Sequence, residues 1–85
     1  KSLALELARN KIRVNCISPG MVKTGMSQAL LDKVTPEALL EIQKAHPLDI
    51  GEPEDIADTC VFLLSDSAGW ITGTNIIVDG GYTAQ

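Results

Sequence analysis

Five residues in the stretch NCISPGMVKTGM, positions 15 to 26, have types and spacing that suit a small planar ligand. Pro19 fixes φ and removes a backbone donor, while Gly20 removes a side chain and lets another group approach the backbone closely. Beyond them, the Val22 backbone groups and the Thr24 hydroxyl form a compact array of donors and acceptors. Such an array matches a flat amide better than a phosphate, which calls for several successive amide hydrogens. Met26, just past Thr24, is an apolar residue of the segment that follows. Spacing alone leaves a second reading open, in which Pro19-Gly20 simply turns the chain out of a sheet.

The elements around this stretch are legible from periodicity. Leu3, Ala4, Leu7 and Ala8 form a helical stripe within residues 1–10, and Asn10 and Lys11 suit its C-terminal end, since Asn tolerates a left-handed cap. The alternation of Ile12, Val14 and Cys16 with Arg13 and Asn15 predicts a strand over 12–17, stopped by Ser18-Pro19-Gly20. Residues 21–46 read as an irregular lid, carrying a short helix that Thr35 caps and Pro36 opens. A longer helix spans 53–65, with Glu54 and Asp55 in its first turn and Ile56, Ala57, Cys60, Val61, Leu63 and Leu64 on one apolar face. The apolar run after Asn75 predicts a last strand over 75–79, ended by Gly80-Gly81. Two strands joined by a long helical crossover are expected to be parallel neighbours, and ligands of open parallel sheets bind outside the carboxyl ends of the strands. Pro19-Gly20 stands at that end.

Composition narrows the class of function. The chain has 85 residues, 45% hydrophobic and 21% charged, with a net charge of −4. It carries no clustered Lys/Arg stripe, so no nucleic-acid partner is expected. No apolar run nears the roughly 20 residues of a membrane span, and no membrane partner is expected. Cys16 and Cys60 are read as two buried, reduced thiols of a cytoplasmic protein. The single histidine, His46, has no companion ligand that would make it a metal site. Trp70 is expected to pack under the last strand, and Asp79 to cap a turn with the glycines beside it. The first helix begins in mid-stripe at Lys1 without a cap, which reads as the start of a fragment.

The blocks Asn15-x-x-x-Pro19-Gly20-x-Val22-x-Thr24, Gly51-Glu52-Pro53-Glu54-Asp55-Ile56-Ala57, Phe62-Leu63-x-Ser65-Asp66, Ile71-Thr72-Gly73 and Val78-Asp79-Gly80-Gly81 occur in this order. Together they resemble the C-terminal third of a short-chain dehydrogenase/reductase. The resemblance implies an α/β fold in which the chain supplies the last two strands and crossover helices of a Rossmann-type doubly wound parallel sheet. It implies NAD or NADP as cofactor, with Pro19, Gly20, Val22 and Thr24 on the nicotinamide side and Met26 in the substrate lid. It further implies hydride transfer between nicotinamide and a small-molecule carbonyl or alcohol, in a homo-oligomer (tetramer or dimer). The connector "PLDIGEP" departs from the family by carrying Asp49 where a basic residue is common, so no contact is carried over from it.

The same resemblance says what is missing. The family's chemistry resides in a serine and a Tyr-x-x-x-Lys pair, and neither is found here. Tyr82 has no lysine four residues later. Lys1 is not the missing lysine. The nine residues from Lys1 to Asn10 climb about 14 Å, short of the roughly 20 Å of a six-residue strand. The chain alone is therefore expected to be inactive. Should it persist alone, it is expected to act as a non-catalytic association fragment.

Overall fold

The structure is a computed structural model that describes residues 2–85; Lys1, whose position bears on the missing lysine, lies outside the described residues. Four helices and two strands run in the order α1 (Ser2–Ala8), β1 (Cys16–Pro19), α2 (Gly25–Leu31), α3 (Pro36–Lys44), α4 (Pro53–Leu64) and β2 (Asn75–Val78). Single 3-10 turns, Asp66–Ala68 and Tyr82–Ala84, precede and follow β2. The strands pair in parallel, Cys16 with Asn75 through Pro19 with Val78.

α1 lays Ala4, 2% exposed, against Gly73, where an added Cβ would come within 3.6 Å of the Ala4 Cβ. It ends at Lys11, whose φ of 62° takes the left-handed position expected of Asn10. That turn returns the Ile12 amide to the Leu7 carbonyl at 3.2 Å.

β1 starts later and ends later than the alternation predicts. Between Ile12 and Asn15 the polar groups are bonded irregularly. The Val14 amide donates to Thr72 Oγ1 at 3.0 Å, and the Asn15 side chain donates to the Ile71 carbonyl and accepts from the Thr74 amide. The regular ladder begins with the Cys16 amide on the Thr74 carbonyl, 2.9 Å. It continues through Pro19 because the amides of Cys16 and Gly20 point to β2, so that of residue 19 would point to the other edge. A proline there costs the ladder no bond.

α4 is bounded by Pro53 at its first position, and the Glu52 amide donates to Asp55 Oδ2 at 2.8 Å. Only one side of its apolar face is covered. Leu63 is buried, and Ile56 and Cys60 are half-buried, whereas Val61, Phe62 and Leu64 are exposed. The Arg13 guanidinium ties the end of this helix to the strand, donating to the carbonyls of Leu63 (2.8 Å), Ile71 (3.2 Å) and Ser65 (3.3 Å).

Two expectations are corrected here. Trp70 is 99% exposed and does not pack under β2, because the 3-10 turn before it presents Ala68, fully buried, to the interior instead. The cysteines are not both buried. Cys16 is exposed, since strand alternation puts it with Ser18 on the face opposite Ile17, and Cys60 is half-buried.

The described surface of 6405 Å² exceeds the roughly 4,900 Å² typical of a compact chain of this mass. The radius of gyration, 16.2 Å, likewise exceeds the roughly 12 Å of a compact domain this long. The buried hydrophobic residues are Ala4, Leu31, Ile50, Leu63 and Ala68, too few to make a continuous core. No described helix is long and apolar enough to cross a membrane.

Candidate functional site

Both strands deliver their carboxyl ends to one side, and a cavity of about 760 Å³ runs from there back along the sheet face over Ser18, Ile77 and Asn75. That falls within the roughly 300–1,000 Å³ of small-molecule sites. Pro19, Gly20, Met21 and Val22 form one wall, and Asp79, Tyr82 and Thr83 another.

Val22 is the best-presented polar group of the turn. It forms an isolated parallel bridge with Gly51, in which the Gly51 amide donates to the Met21 carbonyl (3.0 Å) and the Lys23 amide to the Gly51 carbonyl (2.8 Å). In a parallel bridge of this kind the central residue turns its own N–H and C=O the other way, side by side. Among the described residues the Val22 N–H has no acceptor. The Val22 carbonyl accepts the Ser27 hydroxyl at 2.6 Å and keeps a second lone pair. One donor and one acceptor thus stand adjacent on the cavity wall, the complement of a carboxamide.

Gly20 lines the cavity and also sets the spacing of the strand ends. Its missing side chain admits the residue that follows β2, because an added Cβ would lie 2.7 Å from Asp79 Cβ and 2.8 Å from its Cα. The contribution of Pro19 is a stretch of open edge without a donor. Thr24 is the N-cap of α2, its Oγ1 accepting the Ser27 amide at 3.2 Å, while its own amide donates to Ser27 Oγ at 2.7 Å. The segment after Met21 is therefore more regular than expected. Met26 lies on α2, 86% exposed. Of the five expected residues, the cavity brings together Pro19, Gly20 and Val22, and neither Thr24 nor Met26 lines it.

Ser27, His46 and Tyr82 also line the cavity and were not singled out from the sequence for it. Ser27 was legible as the third residue after a capping threonine. Tyr82 follows directly on the glycines that end a parallel strand, where ligands gather. His46 sat in a loop signal, yet it is only 8% exposed. Its ring stacks on Tyr82 with centroids 4.8 Å apart, and its Nδ1 lies 2.6 Å from the Ile42 carbonyl.

Asp79 builds the far wall. Gly80 and Gly81 both take positive φ, 61° and 93°, which folds the chain back over the aspartate. Its carboxylate accepts the Thr83 hydroxyl (2.7 Å) and the amides of Gly81 and Thr83 (3.0 Å each), capping the turn as expected. The Thr83 hydroxyl is the leading reason that the Asp79 carboxyl titrates below the ordinary aspartate range. Lys23 pairs with Glu52 at 3.1 Å. That hydrogen bond and the Glu52 charge raise the lysine above its ordinary value, across an exposed contact that salt will screen. The described residues hold no cluster of metal ligands.

A family model described as enoyl-(acyl carrier protein) reductase matches residues 1–83. Over 82 residues the sequence is 46% identical to dehydrogenase/reductase SDR family member 4 of Homo sapiens, covering 95% of this chain and 29% of that protein. The chain belongs to the short-chain dehydrogenase/reductase family. Among solved structures, a protein from Agrobacterium tumefaciens with bound NADP superposes with a TM-score of 0.88 at 38% identity, covering 100% of this chain and 34% of that one. 4-Hydroxyisoleucine dehydrogenase complexed with NADH gives 0.86 at 38% identity, covering 99% and 34%. The two strands and their helices are thus part of a Rossmann-type fold, in a family with members that bind NADH or NADP. The chain spans about a third of the length of these relatives.

Proposed function

We propose that this chain works as the C-terminal segment of a longer NAD(P)-dependent oxidoreductase, supplying the nicotinamide-side turn and the substrate lid. The observation that carries the reading is the Val22 pair, an unsatisfied N–H beside a half-satisfied C=O, on a cavity that reaches the carboxyl ends of two parallel strands. A nicotinamide carboxamide offers the matching acceptor and donor. When bound, the cofactor supplies or takes up the hydride exchanged with a carbonyl or alcohol carbon.

The residues of this chain then have distinct tasks. Val22 orients the ring through its backbone, and Ser27 holds the Val22 carbonyl in line. Thr24 fixes Ser27 by capping α2, which makes it a positioning residue. Pro19 presents an apolar edge with no donor to compete for the carboxamide. Gly20 lets β1 close onto Asp79, bringing the two walls together. Met26, exposed on α2, is the lid residue assigned to the substrate. Neither Tyr-x-x-x-Lys nor a partner serine for it is supplied by these 85 residues, so proton transfer falls to the rest of the protein and the segment alone is inactive.

The test removes one atom group. Replacing the Val22 amide by an ester in the full-length protein deletes a donor that holds nothing in the fold. The ester also weakens the Met21 carbonyl that accepts the Gly51 amide, which costs up to about 1 kcal/mol of stability, while NAD(P)H affinity, followed by nicotinamide fluorescence, falls about 5–30-fold, the worth of about 1–2 kcal/mol. Unchanged affinity would refute the reading.

A second reading rests on the exposed apolar side chains Val61, Phe62, Leu64 and Trp70. They favour association, in which α1 and α4 pair with further chain or with a second subunit of a homo-oligomer. A well-folded monomer at low concentration, seen by sedimentation, would count against it.

A further inference from the structure

We propose that His46 is a substrate-recognising residue that accepts a hydrogen bond from a hydroxyl group of the substrate, so the pocket takes hydroxylated carbonyl compounds; this rests on the cavity being the nicotinamide and substrate site. Three observations place it there. First, Nδ1 lies 2.6 Å from the Ile42 carbonyl, which can only accept, so the ring proton resides on Nδ1 and Nε2 presents a lone pair in the neutral ring. Second, no group among the described residues hydrogen-bonds Nε2, although the residue is only 8% exposed. Third, among the described residues no sealed side-chain nitrogen or oxygen lacks a partner, so Nε2 is not sealed off, and His46 lines the cavity.

The setting narrows the ligand. Tyr82 stacks on the ring at an interplanar angle of 19° and prevents it from swinging away. Among the described residues no Lys or Arg lines the cavity, and their one carboxylate there, Asp79, already accepts from Gly81 and Thr83. From these residues a carboxylate or phosphate on the substrate would meet no cation and one fixed negative charge. A neutral hydroxyl meets a pre-aligned acceptor. A site built to bond a hydroxyl rejects the analogue lacking it, because its own polar atom is then left unpaired.

The experiment uses full-length enzyme with cyclohexanone and its 3- and 4-hydroxy derivatives as probes. His46→Asn keeps a donor for the Ile42 carbonyl and deletes the cavity-facing nitrogen; His46→Gln places its amide at the position of Nε2 and gives up the Nδ1 contact. Wild type is expected to favour a hydroxylated ketone in kcat/KM. His46→Asn lowers kcat/KM for that ketone about tenfold more than for cyclohexanone, while His46→Gln retains the preference. Equal use of plain and hydroxylated ketones by wild type, turnover of none of them, or equal effects of both substitutions on every probe would overturn the inference. NAD(P)H titration of the Val22 ester variant reports on the underlying reading separately. If cofactor binding depends on Val22 and His46→Asn does not discriminate, only the hydroxyl assignment falls.

Discussion

Gly20→Ala is the sharpest test of how the cavity is built. The new methyl would stand 2.7 Å from Asp79 Cβ and 2.8 Å from Asp79 Cα, where carbon atoms ordinarily keep about 3.5 Å or more. Both obstacles belong to β2 or its immediate continuation, so no side chain can rotate aside. The ends of β1 and β2 must separate by about 0.8 Å to restore contact distance. The Gly20 amide donates to the Val78 carbonyl at 2.9 Å, and a separation of that size takes the bond outside hydrogen-bonding range. Overpacking of about 1–3 kcal/mol and one lost bond of about 1 kcal/mol make a cost of about 2–4 kcal/mol. In a protein of 150–250 residues that lowers Tm by about 5–15 °C. Val22 lies two residues on, so NAD(P)H affinity should fall with it, by about tenfold or more. Gly25→Ala is the control from the same loop: nothing lies within 4 Å of its would-be Cβ, and an alanine at the start of α2 leaves stability level or raises it by up to about 1 kcal/mol. Thermal unfolding and cofactor titration of the two variants side by side decide the matter. If Gly20→Ala unfolds no earlier than Gly25→Ala, the account of the strand ends is wrong.

The other expected outcomes concern the supports of the site. Arg13→Ala in the full-length protein removes a guanidinium shared by the carbonyls of Leu63, Ser65 and Ile71, and should cost about 2–4 kcal/mol in chemical denaturation, with Arg13→Lys recovering part of it. Thr83→Val deletes the strongest hydrogen bond to Asp79, so the aspartate should titrate higher, as read by carboxyl carbon NMR. Because the folded state holds that group below its ordinary range, its contribution to stability is complete at neutral pH and is lost as pH falls through the lowered value; in Thr83→Val the loss should set in at higher pH. The isolated 85-residue chain, whose surface exceeds that of a compact chain by about 1,500 Å², leaves exposed the area of a whole protein–protein interface and should associate or bind a hydrophobic dye. A cooperative, monomeric unfolding transition of that segment would contradict this.

Much of this architecture was legible because its signals are local. Thr35, Pro36 and Pro53 mark helix starts through one hydroxyl and two missing amides, and the helices begin there. Asp79 followed by two glycines announced its own turn. What stayed hidden depends on which neighbour a residue meets. Ile12 to Asn15 alternate like a strand, but Thr72 and the Asn15 side chain take over the bonds a ladder would need. Arg13 reads as an outward polar residue of that alternation and instead gathers three carbonyls from distant positions. Trp70 carries the largest apolar side chain near β2, and periodicity cannot tell that Ala68 claims the interior. Gly20 was recognised as a place of close approach, while the identity of the approaching group lay 59 residues away.

That identity changes how the site should be understood. Gly20 closes on Asp79, Asp79 holds the amides of Gly81 and Thr83, and the residue between those two, Tyr82, is thereby laid on His46. His46 in turn holds the last turn of α3 through the Ile42 carbonyl, and Leu48 just beyond donates its amide to the Gly80 carbonyl at 3.0 Å. The turn proposed to face the nicotinamide and the helix of the proposed lid are thus joined by contacts through one aspartate. Its carboxylate touches none of the atoms proposed to meet cofactor or substrate. A substitution such as Asp79→Asn, which keeps the volume that Gly20 packs against but weakens the hold on Thr83, should therefore leave the Val22 pair in place and free Tyr82 and His46. In that variant cofactor affinity and hydroxyl preference would part company, which they could not do if the cavity were a single rigid wall.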